Sequence, residues 1–134
     1  MAKMTQKDWN TIRYFKMNEN WGDPFQMEKE LMVKLEKLRG YIKKPIVIHC
    51  GYSVDGHSSQ SYHYKGMAVD MHIVGLSLLD QYLVAELFDF WGIGVYPFWN
   101  NQGLHLDIRT DKITRWVRND KNVYTSLNSA AFKI

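Results

Sequence analysis

Between Ser61 and Asp70 the chain reads Ser-Tyr-His-Tyr-Lys-Gly-Met-Ala-Val-Asp, and no other stretch limits its fold as much. His63 and Asp70 stand seven positions apart, with Gly66 between them. An imidazole and a carboxylate meet at that spacing only if the chain turns tightly, and glycine permits a turn that a residue with a Cβ resists. Ala68 is small enough for close packing where the chain enters the strand carrying Asp70. Such a pair can make two of the three protein ligands of a zinc ion, and His105, in His105-Leu106-Asp107, offers the third. Standing alone, the pair reads as a loop histidine and a strand aspartate. The whole pattern, S-x-H-x-x-G-x-A-x-D followed by H-x-D, separates the two readings.

The flanking residues place this motif among recognisable elements. Residues 8–22 carry Trp9, Ile12, Tyr14, Phe15 and Trp21 among polar residues, a short helix or turn and a loop that lay aromatics over a core. Asp23, Pro24 and Gln26 read as a helix start, with Asp23 as N-cap, proline in the first turn and Gln26 closing a capping box. Leu31, Leu35, Leu38 and Ile42 follow on one helical face, and Gly40 is a candidate stop. Pro45–Cys50 is a strand by its β-branched content, and Gly51-Tyr52-Ser53 a turn. Met67–Val74 is the strand of Asp70, with His72 on the same face by alternation, beside the site or in sheet packing. Ser77 caps a second helix with a stripe of Leu79, Leu83, Leu87 and Phe90, ended by Gly92. Gly92–Pro97 and Leu104–Arg109 are further strands, the latter with His105, Asp107 and Arg109 on one face. Beyond Asp111 a closing helix or irregular segment is expected, with Lys112, Arg115, Arg118 and Lys121 on a basic, solvated side.

Composition narrows the function classes. At 134 residues the chain is the size of a single domain, 1–134. A net charge of +3 suits an anionic wall surface and is too weak and scattered to argue for nucleic acid. One cysteine, Cys50, excludes an internal disulfide and is expected to be a buried, inert thiol. No apolar run reaches membrane-spanning length, so membrane insertion is not expected. Met1–Asp8 lacks an apolar core, so the expectation is synthesis in the cytoplasm without a signal peptide.

The ten-residue motif, together with Gly-x-Gly-x-Tyr-Pro…His-x-Asp, resembles the zinc D-Ala-D-Ala metallopeptidases. That family holds D,D-carboxypeptidases, D-Ala-D-Ala dipeptidases and phage endolysin peptidases, and shares its metal-binding fold with the hedgehog signalling domain. The resemblance runs from about Pro45 to Arg109. It implies an α+β fold, a small antiparallel sheet bearing one zinc with helices packed behind it. It also implies His63, Asp70 and His105 as zinc ligands, and hydrolysis of a peptide bond in the peptidoglycan stem peptide. The setting it implies is a monomeric phage or prophage lytic enzyme, a carboxypeptidase or endopeptidase of D,D or L,D type, reaching the wall after release or on a virion. The rival is a zinc-stabilised wall-binding or structural domain without turnover.

Two departures from the family keep that rival open. Family members often carry Ser-Gly-Tyr-Arg where this chain has Cys50-Gly51-Tyr52-Ser53, which removes the arginine that holds a substrate carboxylate. Some members place an acid three residues before the last zinc histidine, where this chain has Gln102. Asp107, the nearest carboxylate on the ligand-bearing face, is then the expected general base, its alternative role being to orient a metal histidine and pair with Arg109. Arg109 is the candidate to clamp the oxyanion or stand in for the missing arginine, and Ser61 and Tyr96 are candidates for substrate contacts. His57 reads as a loop histidine.

Overall fold

β-Branched and apolar runs form six strands in the computed structural model, which describes residues 1–133. β1 (Ile46–Cys50), β2 (Ala68–Ile73), β3 (Gly92–Tyr96), β4 (Gly103–Asp107), β5 (Thr114–Arg118) and β6 (Tyr124–Ser126) build one sheet in the order β1-β2-β4-β3-β5-β6. Neighbours are antiparallel except β3 and β5, which run parallel. With three α-helices, α1 (Gln6–Asn10), α2 (Lys29–Ile42) and α3 (Leu78–Ala85), the fold is α+β, as expected.

Period-two alternation gives the sheet two different faces. One face is apolar: Ile46 and Ile48, then Val69, Met71 and Ile73, then Ile93, Val95, Leu104, Leu106 and Val117 are all buried in the core. Leu31, Leu35 and Leu38 of α2 are fully buried in the same core, each worth about 1.5–3 kcal/mol of apolar burial. The other face carries the polar residues, and its register places them in rows. Asp70 lies opposite His105, His105 opposite Gly94, and Gly94 opposite Trp116, one row across four strands.

Several helix boundaries differ from expectation. Asp23 does cap, accepting from Phe25 N, but Pro24–Gln26 is only a turn of 3₁₀-helix. The chain then extends through Met27, and α2 begins at Lys29. Long-range contacts impose this break: Glu28 N donates to Gly66 O at 2.9 Å, and the Glu28 carboxylate pairs with Lys3 at 3.0 Å. Gly40 does not stop α2, which runs to Ile42 and ends with Lys43 in the left-handed conformation.

The second helix is turned relative to its predicted stripe. Leu79, Leu83 and Leu87 are exposed, and Leu78, Gln81 and Ala85 face inward. Gln81 decides this orientation. Its Oε1 accepts from Ile73 N at 3.0 Å, and its Nε2 donates to Leu76 O at 3.3 Å and Gln102 O at 3.0 Å, tying β2 to the loop before β4. Asp89 in the left-handed conformation closes the short 3₁₀ turn after α3, and Gly92 instead begins β3. The segment beyond Asp111, expected as a helix or irregular, supplies β5 and β6. The aromatic residues of the first segment do cover the core: Trp21 is fully buried between Trp9 and Phe15, with ring centroids 5.5 and 5.6 Å away.

Candidate functional site

His63 is presented by a 3₁₀ turn, Tyr62–Lys65, that the local sequence specifies at both ends. Ser61 Oγ accepts from His63 N at 3.2 Å and caps the start. Gly66 closes the turn at φ +68°, where a Cβ would meet Gln26 O at 1.8 Å, so both conformation and space require glycine. The turn hands the chain directly to β2, which carries Asp70.

The structure brings His63, Asp70 and His105 together. His63 Nε2 lies 3.3 Å and His105 Nδ1 3.2 Å from the same oxygen, Asp70 Oδ1. One donor atom from each of the three residues falls within 4.8 Å of the others. The far nitrogens are occupied. His63 Nδ1–H donates to Gly51 O at 2.8 Å, and His105 Nε2–H donates to Asp107 Oδ2 at 2.7 Å. A neutral imidazole carries one N–H, so these bonds turn a lone pair of each ring towards Asp70. Three acceptors thus converge on one point with no donor among them.

Such a constellation needs a cation. In the metal-free chain protons fill that need. Burial disfavours charging His63, but the Asp70 hydrogen bond and charge outweigh it and raise its pKa to about 10. His105 is raised for the same reasons by Asp107 and Asp70 against its burial. Asp70, buried yet flanked by both imidazoles, is held well below the usual carboxylate range. Two nitrogens and one carboxylate oxygen are also the donor set of a catalytic zinc site, so these residues fit zinc. Cys50, His57 and His63 form a second convergent group. There His63 offers Nδ1, which Gly51 already engages, and two donors remain.

Asp107 is fully buried beneath His105 rather than open to solvent. Its carboxylate fills the space left by Gly92, where a Cβ would lie 2.1 Å from Oδ2. Oδ2 serves His105 and Arg109 Nη2 at 2.7 Å each, and Oδ1 accepts from Arg109 N at 3.1 Å and Nε at 2.9 Å. Burial is outweighed by these partners, and the carboxyl sits well below its ordinary pKa. The enclosed carboxylate thus spends both oxygens on His105 and Arg109, the contacts that its alternative role, orienting the metal histidine, requires. Arg109 in turn lies between two rings, its guanidinium carbon 4.7 Å from the Tyr62 centroid and 5.1 Å from that of Trp116.

A cleft of about 980 Å³ opens over this row. Ser61, His63, Asp70, Tyr96, His105 and Arg109 all line it, and Asp107 does not. Ser61 and Tyr96 therefore border the space where a substrate would lie, although the Ser61 hydroxyl is engaged as the turn's cap. Gln102, at the position of the family's acid, donates through Nε2 to Pro97 O at 3.0 Å and closes its own loop. His72 turns away to His49, Nδ1 to Nε2 2.6 Å, and joins the sheet packing.

Sequence reasoning missed part of the cleft wall. His57 lines it, stacked on His63 with centroids 4.2 Å apart and Nε2 3.2 Å from Ser53 Oγ. Burial, reinforced by His63, lowers the His57 pKa. Cys50 is half-buried beside it, 3.6 Å from His57 Nε2, and not sealed in the core. Trp99, stacked on Tyr96 at 4.1 Å, and Trp116, Arg118 and Tyr124 complete the wall. The alternation Thr114, Trp116, Arg118 was the available signal for the β5 contribution.

Residues 15–107 match the Peptidase M15 family. The chain is also 32% identical to the peptidoglycan L,D-endopeptidase MepK of Escherichia coli (strain K12), over 58% of this chain and 48% of the relative. The same identity and coverage hold for the peptidoglycan L,D-endopeptidase MepK of Shigella flexneri. The chain thus spans about half the length of the curated relatives it matches.

Proposed function

The chain belongs to the Peptidase M15 family, and on that premise we propose that it hydrolyses a peptide bond of peptidoglycan with one zinc ion held by His63, Asp70 and His105. The observation that carries the proposal is the convergence of three acceptors on one point at the floor of a cleft. Zinc bound there supplies a Lewis acid that polarises a carbonyl and makes water nucleophilic near neutral pH.

The protein's own residues have separable tasks. Gly51 O and Asp107 fix the tautomers of His63 and His105, so that the lone pairs face the ion before it arrives. Asp107 also grips Arg109, and the flanking Tyr62 and Trp116 rings keep the guanidinium in the cleft wall, suited to an oxygen that gains negative charge. The aromatic wall of Tyr96, Trp99 and Trp116 excludes water from one side of the substrate. An internal bond of L,D type is favoured by the relatives' activity and by Ser53 standing where an arginine would hold a terminal D-Ala carboxylate. A phage or prophage lytic enzyme is the setting we assign, on the sequence resemblance.

Two observations favour a second reading, a zinc-stabilised wall-binding domain without turnover. Gln102 stands at the usual acidic position with its amide spent on the loop, and Asp107 is enclosed. Incubation with purified peptidoglycan decides between them. Turnover releases new amino termini, a chelator abolishes the release and zinc restores it, and mass spectrometry of the fragments identifies the bond. Binding without release by zinc-loaded protein establishes the second reading.

A further inference from the structure

We infer that Arg118 is the residue that anchors a carboxylate of the substrate peptide, in place of the arginine this chain lacks at position 53. The inference rests on the peptidase reading above.

Strand β5 sorts its two arginines by alternation. Arg115 faces away from the cleft, where Nε and Nη2 meet the Glu86 carboxylate at 2.9 and 2.7 Å. Val117 on the same side enters the core. Trp116 and Arg118 face the cleft and line it. Arg115 is thus spent on a structural ion pair, and Arg118 is aimed at the space a ligand would fill.

Arg118 is held in place but not neutralised. Across the β5–β6 ladder it pairs in register with Tyr124, and its guanidinium carbon sits 5.1 Å from that ring's centroid. No carboxylate lies within ion-pair distance among the described residues, and its enclosed Nε has no hydrogen-bond partner in the protein. An enclosed donor without an acceptor is costly, and the residue that carries it lines the cleft. A guanidinium fork matches a carboxylate in two parallel hydrogen bonds, and a neighbouring ring limits the orientations it must give up.

The other cations of the cleft suit the task less well. Arg109 already spends Nε and Nη2 on Asp107. Lys65 is a point charge on a flexible stem, with Nζ 5.4 Å from the Tyr62 centroid. Position supports Arg118 as well. It lies two strands and two residues from His105 in the register, which puts the backbones about 12 Å apart. An extended peptide covers that span in about three to four residues, so the anchored carboxylate belongs to a residue removed from the bond that is cut.

The carboxylate is either the peptide's C-terminus or an acidic side chain, and amidation distinguishes them. Three synthetic stem peptides serve as probes: the free acid, its C-terminal amide, and the form with amidated side-chain carboxylates. Affinity is read by intrinsic tryptophan fluorescence, and KM and kcat by release of amino termini. Arg118→Ala should weaken binding of the free acid by about 10- to 100-fold and raise KM rather than lower kcat. Arg118→Lys should recover part of the loss, and Lys65→Ala should keep the preference for the free acid. The amide whose binding no longer responds to Arg118→Ala identifies the carboxylate.

Equal losses for all three peptides, no loss, or loss of the preference in Lys65→Ala instead would overturn the inference. If the unaltered protein cleaves peptidoglycan while Arg118→Ala keeps the free-acid preference, only the anchor is wrong. If the unaltered protein neither binds these peptides nor cleaves peptidoglycan, the peptidase reading and the anchor fall together.

Discussion

His105 Nε2 lies 2.7 Å from Asp107 Oδ2, and this one contact determines which nitrogen of His105 faces Asp70. Asp107→Asn can still meet Nε2 but can present an N–H where an acceptor is required. The expected result is a loss of about 10- to 100-fold in zinc affinity, measured by competition with a chromophoric chelator. A variant that keeps full zinc affinity yet loses about 10²- to 10⁴-fold in turnover would instead make Asp107 the general base.

Elemental analysis of protein purified without chelator should find about one zinc per chain. His63→Ala and His105→Ala each remove one of the three converging donors and should lose most of the metal. Full retention by either variant removes that residue from the site.

Gly66→Ala forces a Cβ into a left-handed turn and towards Gln26 O. It should destabilise the fold by at least about 1–2 kcal/mol in urea unfolding. Since the same turn presents His63, zinc affinity should fall with it. An unchanged midpoint and unchanged zinc binding would show that the turn has another conformation available.

The metal-free protein should weaken as pH rises. His63 has a folded pKa of about 10, above its unfolded value near 6.5, so its proton contributes stability that is fully present below about pH 6.5 and lost as pH climbs through about 10. Zinc displaces that proton, so its apparent affinity should rise about tenfold per pH unit for each proton displaced between about pH 7 and about pH 9, and the loaded protein should lose the pH dependence of the stripped one. Urea unfolding of stripped and loaded protein over this window checks the decline in the first and its absence in the second.

The orientation of α3 is tested by two substitutions. Leu83→Ala, on the exposed side, should change stability by less than about 0.5 kcal/mol. Gln81→Ala should cost about 1–3 kcal/mol, because it leaves buried partners on Ile73, Leu76 and Gln102 unpaired. The reverse ranking would place the Leu79–Leu83–Leu87 stripe in the core.

What the sequence determined by itself was local in origin. Glycine at position 66 with Ser61 before it specifies a capped turn, and alternation in β2 and β4 assigns Asp70, His105 and Asp107 to the polar face of their strands. Those features depend on backbone conformation and on a side-chain period of two, both readable within a few residues. The tertiary structure decided what depends on partners far along the chain. The β2–β4 register set Asp70 opposite His105, and the cavity at Gly92 took in the Asp107 carboxylate and denied it to the cleft. Contacts of Glu28 with Gly66 and Lys3 moved the start of α2 to Lys29, and Gln81 turned α3 against its leucine stripe. Parallel pairing with β3 made a strand of β5 and brought Trp116 and Arg118 to the site. A buried polar group must find its partner wherever the fold provides one, and sequence spacing carries no record of which distant residue that is.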